Sequence, residues 1–450
     1  MTTSFMVTFM VSSVNLALPS MGKDLGCDAV TTSWIVTAYI LASALFMLPF
    51  GRFADIKGRR KVYLVGTIFF AVCTLLIPLV HSAPAVIVLR ILQGIGASMI
   101  AGTGMAILTS VYPPQKRGMA LGYSVSVTYL GLSVGPVVGG MMNHYLGWSS
   151  IFYVSGALGM LGALVIFTRL KGEWVGAPGE SFDTIGSLLY LAGMMGLLYG
   201  LSSVESSHWA AYIILAGIVF FIAFVYWEGR VDEPILEIKV FKNNLTFTMS
   251  NLAALINYSA TFAVTFLLSL YLQVVRGYNS QTAGFILLAQ PLMMALLSPL
   301  AGTLSDRLEP RKVASIGMAC TALCLFCFSL LQQDTSVILL IGILTLAGIG
   351  FALFSSPNNN AIMSSVEMKF YGIASSVIGT MRTVGQAISM SIVTMLMAVF
   401  VGGSSLVGAD PDQLLRMVRI SFIIFTVLCL LGIAASLARG KVHESDQGQS

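Results

Sequence analysis

Few side chains in this sequence are equipped for chemistry, and they cluster. The passage GRFADIKGRRK, Gly51 to Lys61, gathers Arg52, Lys57, Arg59, Arg60 and Lys61 around one carboxylate, Asp55. A second passage, GTLSDRLEPRK from Gly302 to Lys312, repeats glycine, aspartate, arginine and lysine at the same four places. A carboxylate at such a turn can pair with an arginine or with a helix N-terminus. The helix end contributes about 0.3 to 1 kcal/mol, up to about 2 when partly buried, which suits a latch that must open. Other chemistries lack their parts. Cys73, Cys320, Cys324, Cys327 and Cys429 lie in apolar runs, and Cys27 alone in a loop makes no disulfide framework. Cys320, Cys324 and Cys327 share a helical face and read as packing rather than metal ligands. No His/Asp/Ser set converges and no Walker-type loop is present, so neither an enzyme, a cofactor nor a metal is expected.

The clusters punctuate an apolar chain. Of its 450 residues 56% are hydrophobic and 10% charged, with mean hydropathy +0.88; soluble domains carry roughly 25% charged residues. Apolar runs of about 18 to 25 residues recur, each long enough to cross a hydrocarbon core of about 30 Å. Fourteen are counted: 1–19, 30–51, 62–81, 84–108, 118–142, 146–168, 182–204, 208–227, 245–272, 280–301, 313–332, 335–357, 371–400 and 417–437. The first has no basic leader and no small-residue cleavage pattern, so it reads as a spanning helix rather than a signal peptide. Two prolines in YPPQKRG, Tyr112 to Gly118, end a helix. The expected fold class is an all-α polytopic membrane protein, with the lipid bilayer as its surroundings.

An even count puts both termini on one side. Loops there hold Arg52, Lys57, Arg59, Arg60, Lys61, Lys116, Arg117, Arg169, Lys171, Arg230, Lys239, Lys242, Arg307, Arg311, Lys312 and Lys369. The opposite side has Lys23, Arg276, Arg416 and Arg419. By the positive-inside rule the first side is cytoplasmic, in the plasma membrane. The net charge of +5 therefore sets orientation and implies no nucleic-acid partner.

The repeated passage follows the second run and then the tenth, whereas a doubled six-helix unit would place it after the eighth. Two extra helices must lie between the halves. The expected division is a six-helix bundle at 1–170, an inserted two-helix segment with polar linkers at 171–243, a second six-helix bundle at 244–438 and a tail at 439–450. Paired bundles that rock about a central site are one solution to alternating access.

The sequence resembles the major facilitator superfamily, and within it the fourteen-helix drug:proton antiporter branch. GRFADIKGRRK resembles the loop motif between helices 2 and 3, RILQGIGA (Arg90 to Ala97) the helix 4 motif, and GLSVGPVVGG (Gly131 to Gly140) the helix 5 motif of exporters. The resemblance implies a monomeric secondary transporter that exports amphipathic, drug-like small molecules by alternating access and exchanges them for protons. It implies a gating role for Gly51, Asp55, Gly58, Arg59 and Arg60, echoed by Asp306 and Arg311, and proton coupling for Arg90 and Gln93; Glu205, an acid at a span end, joins them as a coupling candidate.

The residues carry their own reading. Arg90 lies roughly 9 Å into its span at the helical rise, where a cation faces the bundle interior or snorkels to the interface. Gly131, Gly135 and Gly139 recur every four residues on one face, allowing close helix approach, while Pro136 beside Gly139 and Gly140 adds a hinge. Ser12, Asn15, Asn257, Tyr258, Gln290, Asn358, Arg382 and Gln386 are polar residues in spans that either line a substrate pathway or make packing hydrogen bonds. The 24 methionines and 26 phenylalanines suit large hydrophobic substrates.

One departure stands out. No Asp or Glu lies near mid-depth in any span, and before VNLALP (Val14 to Pro19), where many members of the branch carry an acid, stands Met10. The alternative is a facilitator or exporter of a specific solute, anionic given Arg90 and Arg382, without conventional proton coupling. Asp55→Asn is expected to leave membrane insertion intact and to cripple transport; normal transport by that variant reduces the loop to a topology signal.

Overall fold

The computed structural model describes residues 2–111, 124, 127–203, 208–242, 244–366, 371–402 and 410–439. Among them fourteen long helices run in chain order: α1 (Thr2–Asp24), α2 (Ala29–Lys57), α3 (Arg59–Leu76), α4 (Ala83–Val111), α5 (127–146), α6 (Ser149–Arg169), α7 (Thr184–Ser202), α8 (Ala210–Glu228), α9 (Leu245–Val275), α10 (Ser280–Leu287 then Ala289–Arg307), α11 (Pro310–Ser329), α12 (Val337–Ser364), α13 (Tyr371–Phe400) and α14 (Pro411–Ala438). Thirteen are long and apolar enough to cross a membrane; α5 is the other. The all-helical expectation holds. Tyr112 to Gly118, Glu205, Lys369 and residues 440–450 lie outside the described residues.

Helix starts follow local chemistry. Side-chain oxygens of Asp28, Asp183, Asn244 and Asn279 accept from the backbone N–H three residues on, at 2.8 to 2.9 Å, at the starts of α2, α7, α9 and α10. Pro310 and Pro411 open α11 and α14 where a missing N–H costs nothing.

The halves repeat one packing scheme. In the first, α2 packs on α4, α3 on α4 and α6, and α1 on α5 and α6; in the second, α10 packs on α12, α11 on α12 and α14, and α9 on α13 and α14. Two seams join them, α2 against α13 and α5 against α10, while α7 packs on α8 and also lies on both α2 and α13. Lipid tails are as apolar as leucine, so close approach of small residues holds such helices together. A Cβ on Gly66 would stand 3.1 Å from Gly96 O across α3/α4, and one on Gly317 would stand 2.6 Å from Gly350 O across α11/α12. Gly66 and Gly317 occupy the same place relative to the two charged passages.

The arginines of those passages repeat too. Arg60 donates to Leu170 O and Phe167 O at the C-terminal end of α6, and Arg311 donates to Arg439 O just past the end of α14. Each guanidinium thus satisfies carbonyls that a helix end leaves orphaned, in the favourable sense of the helix dipole. Arg60→Ala and Arg311→Ala should each lower stability by about 1.5 to 3 kcal/mol, the usual worth of a charged hydrogen bond, read as a lower melting temperature in detergent, with lysine restoring part of the loss. An unchanged melting temperature in both variants would deny the arginines this capping role.

Candidate functional site

The first charged passage is a clasped turn. α2 ends at Gly58, whose φ of +113° is a conformation that strains any L side chain, and whose Cβ would meet Glu173 Cδ at 2.6 Å. Glu173 Oε1 accepts from the first-turn N–H of Arg60 at 2.8 Å, capping α3 from outside the passage. Asp55 Oδ1 accepts from Arg59 Nε at 2.7 Å, and Asp55 O accepts from Gly176 N and Ala177 N at 2.9 and 3.0 Å. Arg59 also reaches Ser110 Oγ on α4 at 2.9 Å, its own N–H donates to Trp174 O at 2.9 Å, and Arg52 pairs with Glu180. The polar linker ahead of α7 therefore lies on the passage and holds it. Among the described residues the partners of Asp55 belong to the first half and this linker. Gly51 faces Gly102 of α4, 3.3 Å from its Cβ position.

The second passage is built differently. Glu309 and Pro310 stand where Gly58 and Arg59 stand in the first, and Pro310 opens α11 directly. The Asp306 side chain lies outside the described part. Arg439, which follows α14, is fully buried and donates to Asn358 Oδ1 at 2.7 Å and Ser250 Oγ at 3.2 Å. Burial, with Arg311 nearby, pushes its guanidinium down to about 10. Asn358, a predicted pathway residue, thus ties α12 to α9 and the end of α14, its Nδ2 donating to Ser250 O at 3.1 Å.

Arg90 is 1% exposed and does not snorkel. Its Nε donates to Ile35 O at 2.7 Å, its Nη1 donates to Gln93 Oε1 at 2.5 Å, and its guanidinium lies 4.4 Å from the centre of the Tyr39 ring. Gln93 Nε2 donates to Thr74 Oγ1 at 2.6 Å and to Met10 Sδ at 3.2 Å. Met10 therefore sits on the Arg90–Gln93 network, and the position ahead of VNLALP meets that network with a thioether.

The helix 5 glycines face α1. A Cβ on Gly131, Gly135 or Gly139 would stand 2.2, 2.7 or 2.4 Å from Thr8, Ser12 or Ser13. Pro136 and Gly140 face α10 in the other half: Pro136 O would stand 2.0 Å from a Cβ on Gly284, and Ser280 O 2.5 Å from a Cβ on Gly140. Here α5 widens into a π-helical turn, Gly135–Gly139. Pro136 has no N–H to give Leu132 O, and Ser12 Oγ donates to that carbonyl instead, at 3.3 Å. Ser13 Oγ donates to Gly135 O at 3.0 Å. Ser12, a predicted pathway residue, is thus part of this seam.

The remaining predicted residues converge in part. Tyr129, Met294 and Phe351 form a buried cluster with Leu132, Tyr258 and Ala295, drawing on α5, α9, α10 and α12 and so on both halves. Tyr258 meets Phe351 edge-on at 5.7 Å, and Tyr129 Oη donates to Ser355 Oγ at 3.3 Å, with the Ser298 hydroxyl near it and the charge of Arg382 within electrostatic reach. Asn257 beside Tyr258 is fully buried, and among the described residues neither its Nδ2 nor its Oδ1 meets a partner. Asn15 O accepts from Ser269 Oγ at 2.9 Å across the halves. Gln290 and Gln386 are half-buried, the latter one turn beyond Arg382 on α13. Tyr129 was absent from the sequence reading; its signal is the spacing Tyr129, Leu132, Pro136, Gly140, which sets one face of α5 beside the glycine stripe.

Two repeated bundles, a clasped loop after the second helix and a glycine–proline seam in the fifth agree with the sequence comparisons. The profile of the Major Facilitator Superfamily matches residues 1–390 and 250–449. The chain belongs to that superfamily. Superfamily relatives include the riboflavin transporter RibZ of Clostridioides difficile, 29% identical over 85% of this chain and 84% of that one, and the tetracenomycin C resistance and export protein of Streptomyces glaucescens, 29% identical over 88% and 74%. The fold matches the crystal structure of a bacterial homolog of the human lysosomal transporter Spinster, in an inward-facing and unoccupied conformation, with TM-score 0.69 and 16% identity over 97% of this chain and 94% of that one. As a superfamily member the chain is a multi-pass membrane transporter of small molecules and not an enzyme.

Ser12→Ala should destabilise the protein by about 1 to 3 kcal/mol, because it strands the Leu132 carbonyl. In a Pro136→Ala background, which returns an N–H to that carbonyl, the same change should be nearly neutral. Equal costs of Ser12→Ala in both backgrounds, measured by thermal unfolding in detergent, would sink this account of the hinge.

Proposed function

We propose that this transporter exports amphipathic, drug-like small molecules by alternating access between two six-helix bundles, with the α7/α8 pair inserted between them, in exchange for protons. The observation that carries the substrate class is the cluster shared by both halves: aromatic rings of Tyr129, Tyr258 and Phe351 and the adaptable side chain of Met294, beside Arg382 and the unpartnered amide of Asn257. Rings and a thioether accept varied apolar bodies, and a few polar groups orient them. The position supports the reading, since substrate sites of repeat-built transporters lie at the repeat interface. The relative named for tetracenomycin C resistance and export supports the same direction.

In this scheme the basic loops and both termini are cytoplasmic, Asp55, Arg59 and Gly58 form a gate latch on that side, and Arg90 with Gln93 tunes proton movement. One proton supplies about 1.4 kcal/mol per pH unit and about 2.3 kcal/mol per 100 mV when charge crosses the membrane. A second reading, a specific anionic solute, is supported by the positive charge of Arg382, which acts electrostatically on Tyr129 of the cluster.

The test is proton flux in proteoliposomes of the purified protein when ethidium is added under an imposed pH gradient. Ethidium movement with proton counterflow is the expected result. Ethidium movement without protons overturns the coupling, and movement of neither, with uptake of an organic anion instead, replaces the substrate class by the second reading.

A further inference from the structure

The foot of the inserted hairpin joins two carboxyl groups that, among the described residues, form no ion pair with a cation. Asp183 precedes α7 and caps it through Oδ1, which accepts from Gly186 N at 2.9 Å. Glu228 ends α8 and is 3% exposed. Its Oε2 accepts from Leu236 N at 2.9 Å, while Oε1 is buried and meets no protein N–H or O–H. What Oε1 faces is Asp183. A Cβ built on Gly186 would stand 2.4 Å from Glu228 Oε1 and 2.2 Å from Asp183 Oδ2, so the two oxygens converge on one point, and the carboxyl groups are within hydrogen-bonding reach of each other.

Among the described residues the surroundings supply donors and no ion-paired cation. Trp227 Nε1 on α8 donates to both oxygens of Asp183, at 3.2 and 3.1 Å. The segment after α8 presents the N–H groups of Leu236 and Ile235 to Glu228, and the start of α7 presents Asp183 itself and Gly186 N. Among the described residues the ion pairs are Arg52–Glu180 and Arg59–Asp55, and neither includes these two groups. Ionised carboxylates have no proton to donate, so a hydrogen bond between the two requires that one of them carry one.

We propose that Asp183 and Glu228 together bind one proton, and that its release loosens the linker from the Gly51–Lys61 turn. With the proton in place, one carboxyl donates to the other and closes the start of α7 onto the end of α8. Once the proton leaves to water at the basic face, the buried carboxylate of Glu228 and the half-buried one of Asp183 face each other and repel. The displaced residue, Asp183, is where the linker ends. Upstream of it Glu180 holds Arg52, Ala177 and Gly176 donate to Asp55 O, and Glu173 caps α3. Farther along α7, Tyr190 donates to Ala44 O on α2 at 3.0 Å and Leu198 O accepts from Ser391 on α13 at 3.2 Å. The hairpin thus touches the turn and both sides of one seam, and a proton at its foot biases all three. This deepens the proton-coupled reading above and rests on it for the consequence in transport, whereas the site itself can be read in a protein that moves nothing.

The experiment is infrared difference spectroscopy of the purified chain in lipid, titrated from mildly acidic to alkaline pH, together with hydrogen exchange of the Gly176 and Ala177 amides corrected for intrinsic pH dependence. Wild type should lose one protonated-carboxyl band on titration while those amides exchange about tenfold faster. Glu228→Gln should lack the band and keep both amides protected at every pH, because its amide donates where the proton did. Asp183→Asn preserves the helix cap and should give the same result, which guards against a variant that misfolds. A titrating band that persists unchanged in both variants, or linker exchange that ignores the titration, overturns the proposal. Proteoliposome flux is not needed for either outcome, so failure of the export reading would leave this result standing or falling by itself.

Discussion

Inside hydrocarbon a polar group finds its partner in the protein or costs several kcal/mol, and this constraint governs most of the specific contacts in the molecule. Leu132 O, abandoned by Pro136, is met by Ser12; Arg90 spends its donors on Ile35 O and Gln93. Arg439 is wrapped by Ser250, Asn358 and Ser436. Each solution joins two helices, so satisfying one backbone or one charge also fixes a crossing. Asn257, with both amide atoms buried and unmet by protein, departs from the rule beside the aromatic cluster shared by the halves.

The same constraint separates contacts that hold from contacts that slide. Within the first half α5 lies on α1 with serine hydroxyls bonded into its loosened turn. Between halves it meets α10 through close backbone approach, the Tyr129–Met294 packing and hydroxyl bonds, with Ser280 Oγ donating to Gly140 O at 3.1 Å and Tyr145 Oη to Gln281 Oε1 at 3.3 Å. The α2/α13 seam likewise carries hydroxyl contacts, Thr37 to Thr394 at 2.7 Å and Thr383 to Met47 Sδ at 3.0 Å. Helices joined by close packing and a few exchangeable hydroxyls can part and rejoin at little cost, whereas those pinned by arginine cannot.

The fold was largely legible because its signals are long: apolar runs, Asx caps and a repeated charged passage each survive uncertainty at a helix end. The helix 5 stripe was legible for the same reason, as a spacing of four. What escaped the sequence lay between elements distant in the chain. Nothing in the polar linker announced that Glu173 would cap α3 or that Gly176 and Ala177 would bind Asp55 O, because backbone donors have no letter of their own. Ser12 and Asn358 read as pathway residues since a hydroxyl or amide in a span looks the same whether it meets a solute or an orphaned carbonyl. Met10 was read as a missing acid, and its place against Gln93 shows that the network completes itself through Arg90 and Gln93 without a carboxylate.

The two copies of the charged passage amount to a control that the molecule runs on itself. Both arginines still stop the sixth helix of their half, and both glycines, Gly66 and Gly317, still seat the third helix on the fourth. The glycine turn and the second arginine persist in one copy, where a linker reaches down to grip them, and have given way to glutamate and proline in the other. The two copies thus separate the motif into a part that both halves use to seat their helices and a part that one half alone uses, as the grip of a linker on its turn.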